Sequence, residues 1–282
     1  MGARTLNDHV PEKEFVWING FAAPPAPRVR PISALVSVLR LIRNKEDTSL
    51  VFRAIADLAG KAGHNQFRKF VGTVYGAKVV KEPIKMENIL SNREWLATMP
   101  EGSFGRAYYD FMVGQDLTPQ GLLASARDAG FDLEADTQFP EYQRLFLHNS
   151  VIHDVIHVLT GYGRDALGEI CNLAFTDQQH HSPGFKLIIA IGVLAQKREA
   201  WKSPIIASVR QAAEMGRQAR FIAGTDLVPL MPLPLEDARA QLNLIEPTVY
   251  NGIPQSVKDN LLKPTPSPET GYGDDGLAPV GS

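Results

Sequence analysis

Apolar residues recur at intervals of three and four along most of this chain and strand-type alternation is nearly absent, so the pattern predicts helices. Leu35, Val38, Leu39 and Ile42 fall at helical spacing with Arg40 and Arg43 opposite, which predicts a core-facing helix. A second is expected over 50–62, capped by Asp47 or Thr48 and ended by Gly63. Further helices are expected over 103–114, 118–129, 138–160, 165–178, 183–201 and 203–223, with a last short one over 235–244 after a proline-punctuated stretch. Residues 64–100 carry no readable period. The expected fold class is all-α: a single-domain multi-helix bundle over 31–253. The Ala22-Ala23-Pro24-Pro25-Ala26-Pro27 run marks 1–30 as an extended N-terminal arm. Pro264-Thr265-Pro266-Ser267-Pro268 and the Gly271 to Gly276 stretch mark 254–282 as a disordered C-terminal tail.

Two of these helices depart from a simple amphipathic pattern. The one opening at Ser182-Pro183 is apolar on every side through Phe185, Leu187, Ile188, Ile189, Ile191, Val193 and Leu194, as befits a central helix or one that also lines a channel. His180 and His181, just before it, are expected as a solvent-exposed pair.

The other carries the chemistry. In Val151-Ile152-His153-Asp154-Val155-Ile156-His157-Val158-Leu159-Thr160-Gly161 a four-residue step places His153 and His157 on one face, with Asp154 about 100° round from the first. Nearly every neighbour is apolar, so these polar groups must be satisfied internally. Gly161 and Gly163 end the helix, Asp165 caps the next, and that helix carries Glu169, about one turn in and back opposite the histidines. Two imidazoles and two carboxylates in an apolar helix pair point to a divalent metal rather than to hydrogen-bonded core histidines. The expected ligands and catalytic residues are His153, Asp154, His157 and Glu169, with zinc first among the metals and iron or magnesium as alternatives.

His153-Asp154-x-x-His157, eleven residues and then Glu169, together with Val158-Leu159-Thr160-Gly161 and Gly168-Glu169-Ile170, resembles the signature of the Coq-four family of coenzyme Q (ubiquinone) biosynthesis proteins, over about residues 90–245. Members usually carry an Arg-rich run before the His-Asp pair; here Leu145-Phe146-Leu147-His148-Asn149-Ser150 stands instead, so a divergent bacterial-type member is expected. The resemblance implies oxidative decarboxylation of a polyprenylated 4-hydroxybenzoate derivative, the C1 carboxylate being replaced by hydroxyl. It also implies prenylated aromatic or isoprenoid ligands, other quinone biosynthesis enzymes as partners and, for so apolar a substrate, peripheral association with the inner membrane. Two readings from other classes stay open: a non-catalytic prenyl-lipid-binding scaffold, and a metallohydrolase. Against a zincin-like peptidase, Asp154 stands where a glutamate base is needed.

Composition narrows this little. With 44% hydrophobic and 21% charged residues the chain is ordinary globular material, and a net charge of -2 gives no electrostatic footprint for nucleic acid. The single Cys171 excludes an internal disulfide and suits a reducing compartment. The N-terminus lacks an apolar signal core and no apolar run reaches spanning length, so a cytoplasmic protein is expected, with a homo-oligomer open.

Overall fold

Helix-forming stretches punctuated by proline and glycine account for most of residues 9–44, 47–82 and 85–262, which the computed structural model describes. The helices run α1 (Pro31–Arg43), α2 (Ser49–Leu58), α3 (Ala62–Val71), α4 (Val74–Lys81), α5 (Met86–Ser91), α6 (Arg93–Ala97), α7 (Phe104–Gly114), α8 (Pro119–Asp128), α9 (Pro140–Val151) and α10 (His153–Thr160). They continue as α11 (Ala166–His180), α12 (Pro183–Glu199), α13 (Ile205–Gln218), α14 (Leu235–Gln241), α15 (Thr248–Asn251) and α16 (Gln255–Lys258). The all-α reading stands, and no helix among the described residues is long and apolar enough to cross a membrane. The unassigned stretch 64–100 holds four helices of ten residues or fewer, too short to show a period. Side chains set two of their starts: Thr73 Oγ1 accepts from the Gly76 amide at 2.9 Å and Asn92 Oδ1 from the Trp95 amide at 3.0 Å. The single helix expected over 138–160 is two, α9 and α10, parted at Ile152.

The N-terminal arm needs correction. Residues 16–23 form an antiparallel hairpin of β1 (Val16–Ile18) and β2 (Phe21–Ala23), turned by Asn19-Gly20 with φ of 51° and 85°. Two successive positive φ values are what a tight two-residue hairpin turn demands, and Asn-Gly is the dipeptide that tolerates them best. Val10, Ile18 and Ala23 are buried in the main core. The expected arm is therefore part of the packed body from residue 9 or so; residues 1–8 lie outside the described ones.

The expected tail is also packed at its start. α16 follows Pro254, Leu261 and Leu262 are buried, the Leu262 amide donates to Glu199 at 2.7 Å, and Lys258 lies over the Tyr250 ring. Charge and proline hide these anchors from a periodicity reading because only two apolar side chains are involved. Residues 263–282 lie outside the described ones. Truncation after Pro254 is expected to cost about 3 kcal/mol, the burial of two leucines, and to lower the melting temperature accordingly.

The main core gathers around α9, α10 and α11, with Phe67, Phe70, Leu145, Leu159, Tyr162 and Phe175 fully enclosed. A smaller cluster, Val38, Leu41, Leu50, Ala54, Ile170 and Ile188, joins α1, α2, α11 and α12. α1 thus faces inward through Ala34, Ser37, Val38 and Leu41, whereas Leu35 and Leu39, expected inside, are exposed. His180, expected at the surface, is buried against Phe221; only His181, the left-handed residue ending α11, is exposed.

Buried His148 gives a pH prediction. Its Nε2 donates to the Ala223 carbonyl at 3.1 Å, and burial, opposed by that bond, pushes the imidazole down to about 4. A depressed histidine is neutral in the fold and charged in the unfolded chain between pH 4 and 6.5, so its stability contribution is present above 6.5 and is lost as pH falls toward 4. The expected loss is up to about 3 kcal/mol, read as a drop in urea midpoint that His148→Gln removes.

Candidate metal centre

α10 is all but enclosed: Val155, Ile156, Val158 and Leu159 are buried, and the polar side chains turn toward α11 and a cavity. His153 and His157 stack one turn apart with their Nε2 atoms 3.2 Å from each other. Glu169 Oε2 faces both, 3.7 Å from His153 Nε2 and 3.4 Å from His157 Nε2. Among the described residues these three offer ligand atoms within 4.8 Å of one another.

Local chemistry holds each part in place. The His157 ring is buried, lies against Phe111, and its Nδ1 donates to the Tyr162 carbonyl at 2.9 Å, which leaves Nε2 as the bare nitrogen facing Glu169. α10 ends at Gly161 in the left-handed conformation, and its last carbonyls are gripped from α14: Arg239 Nε donates to Leu159 O at 2.9 Å and Nη2 to Val158 O at 3.0 Å. Asp165 caps α11 as expected, accepting from the Leu167 and Gly168 amides at 3.1 and 3.0 Å. The Tyr250 hydroxyl donates to the same carboxylate and accepts from the Gly163 amide at 3.0 Å. Glu169 then sits in the first turn of α11, where the helix dipole favours an anion.

Burial alone would raise the Glu169 carboxyl and lower the His157 imidazole. Their mutual contact, with His153 adding to it, reverses both, so the carboxyl lies well below the usual carboxylate range and the His157 imidazole is raised. The arrangement places two imidazole nitrogens and an anionic oxygen face to face, a donor set that fits zinc or iron.

Of the four residues expected to converge, Asp154 is not in the cluster. Its position a quarter-turn further round α10 takes the carboxylate to the flank, where it raises the Tyr108 phenol, itself already lifted by burial, while still lining the cavity. Sequence reasoning missed Arg164, whose Nε stands 3.9 Å from Glu169 Oε1. A lone arginine between two glycine-rich turns carries no periodic signal. It also missed Tyr162, Arg239 and Tyr250, which act through backbone groups or from distant segments.

The cavity measures about 1240 Å³. His153, Asp154, Arg164 and Glu169 share its wall with Asn149 and Ser150. Apolar side chains of α2 (Val51, Phe52, Ile55), Phe146, and Phe185 and Ile188 of α12 line part of the remainder, with Arg28 and Arg30 also on the wall. α12 is therefore a cavity wall as well as core, and its Leu194 is exposed.

A family model described as Coenzyme Q (ubiquinone) biosynthesis protein Coq4 matches residues 32–248, extending well upstream of the stretch that the motif alone suggested. The mitochondrial ubiquinone biosynthesis protein COQ4 homolog of Bos taurus is 27% identical over 175 residues, 61% of this chain and 62% of that one. The chain thus spans about three fifths of that curated relative's length. A crystal structure from Nostoc punctiforme, of a protein provisionally named for ubiquinone biosynthesis, superposes with a TM-score of 0.54 at 15% identity, over 76% of this chain and 98% of that one, a likeness of fold.

Proposed function

This chain belongs to the Coq4 family of coenzyme Q (ubiquinone) biosynthesis proteins, and we propose that it serves ubiquinone biosynthesis as a metal-dependent enzyme. Its substrate would be a polyprenylated 4-hydroxybenzoate derivative, the C1 carboxylate leaving as carbon dioxide and a hydroxyl from water taking its place, with dioxygen as the two-electron oxidant, reduced to hydrogen peroxide. The observation that carries this reading is the position of His153 and Glu169, two of the three clustered side chains, in the wall of a large cavity, with His157 buried behind them. A structural metal site would have no reason to face such a space.

His153, His157 and Glu169 would hold the ion, with Asp154 a flanking carboxylate. When bound, the metal would supply Lewis acidity toward a carboxylate or phenolate oxygen. The remaining roles fall to the chain's own groups. The Tyr162 carbonyl fixes the His157 ring so that Nε2 faces inward. Arg164, about two fifths exposed and beside Glu169, offers the positive charge that an anionic head group needs, compensating for the arginines absent before His153. The apolar walls from α2 and α12 suit an isoprenoid tail and keep water from the ring.

The test is metal analysis of the purified protein with mass spectrometry of co-purified lipid, followed by carbon dioxide release from a prenylated 4-hydroxybenzoate derivative. About one zinc or iron per chain and an isoprenoid-bearing aromatic acid are expected. Metal-free protein with no such lipid and no carbon dioxide would overturn the proposal.

A further inference from the structure

α1 buries one face and, among the described residues, leaves the other uncovered. Ile32, Leu35, Val36 and Leu39, at intervals of three and four, form an outward stripe, with Ile32 79% exposed. Exposed Val29 extends it before the helix. A contiguous apolar stripe on a surface helix is costly in water and marks a contact face. Its charge is one-sided: Arg40 and Arg43 are exposed at the end of the helix, Arg28 is exposed ahead of it, and α1 carries no acidic residue. The same helix borders the cavity, since Leu41 and Ile42 line it from the inner side and exposed Arg28 and Val29 contribute to its wall.

We propose that the outer face of α1 docks on an anionic lipid bilayer, the apolar stripe entering the headgroup boundary and the arginines pairing with lipid phosphates, so that the cavity opens toward the membrane. Apolar side chains flanked by the exposed Arg28, Arg40 and Arg43 match a negatively charged bilayer, whereas a protein partner would call for polar and acidic complementarity along the rim. The proposal extends the reading above, because a prenylated substrate partitions into the bilayer, yet docking and turnover are measured separately.

The experiment is flotation of the full chain with phosphatidylcholine vesicles, with and without about a third phosphatidylglycerol. The protein is expected to float with the anionic vesicles, and less so as salt rises. Ile32→Ser/Leu35→Ser/Leu39→Ser is expected to weaken binding about tenfold or more, and Arg40→Gln/Arg43→Gln to abolish the preference for anionic lipid. Val74→Ser, which removes a lone exposed valine on α4, should float like the parent. As a check independent of the triple variant's folding, Leu35→Cys carrying a polarity-sensitive dye should shift to the blue on anionic vesicles. No flotation of the parent, unchanged flotation of the triple variant, or a dimer that the triple variant turns to monomer in lipid-free buffer would each overturn the proposal, the last assigning the face to a second copy. Turnover in detergent without flotation removes docking alone; flotation without turnover removes the enzymatic reading alone.

Discussion

Glu169→Ala is expected to strip the metal from the purified protein and to reduce turnover of the prenylated substrate by about three orders of magnitude or more, with the helical content unchanged. The carboxylate is the only anion in the three-residue cluster, and its loss leaves two imidazole nitrogens 3.2 Å apart with nothing to balance a divalent charge. It is about a third exposed and lines the cavity, so its removal opens no closed hole in the core. Metal content by mass spectrometry and quinone content in a quinone-deficient host are the readouts. Retention of full activity in the host favours the scaffold reading; an unfolded variant makes the metal structural, and His153→Gln, at the less buried of the two imidazoles, then becomes the informative change.

Gly168→Ala is the second large effect, on the fold and the site together. A Cβ at this position would lie 2.0 Å from the Gly163 carbonyl oxygen and 2.9 Å from its nitrogen, backbone atoms that cannot rotate away. Relief requires moving the 161–165 turn, which also carries the Tyr162 carbonyl that orients His157 and the Gly163 amide that meets Tyr250. The expected cost is about 3 kcal/mol or more, a drop of roughly 10 °C in melting temperature, accompanied by weaker metal binding. Gly114→Ala at the end of α7, where a Cβ meets nothing within 4 Å, is the matched control and should be nearly neutral.

The helices and the cluster of His153, His157 and Glu169 were legible in the sequence for the same reason: both follow from a repeat of 3.6. His153 and His157 are one turn apart, and the distance to Glu169 allows one turn and a reversal. Asp154 shows the limit of that argument, since a residue on the correct helix can still point a quarter-turn away from the reacting face. His180 shows another: two adjacent histidines before a proline read as surface, but the left-handed turn at His181 folds the first back under Phe221. The hairpin at Asn19-Gly20 was hidden because three-residue strands are too short to alternate, although the turn dipeptide itself was in view. α15 and α16, four residues each, carry no period at all, and the cavity is assembled from α1, α2, α3, α8, α9, α10, α11 and α12, a convergence that no single stretch of sequence announces.

The grip of Arg239 and Tyr250 on the metal helices has a consequence for how the protein is made. The signature ends at residue 169, yet the carbonyls closing α10 and the cap opening α11 are completed by side chains some eighty residues further on. A ribosome that has released the whole motif has not yet released the groups that set its shape. Were the cluster to hold an ion, as proposed, its loading would belong to the last stage of synthesis, after the segment around Tyr250 has left the exit tunnel.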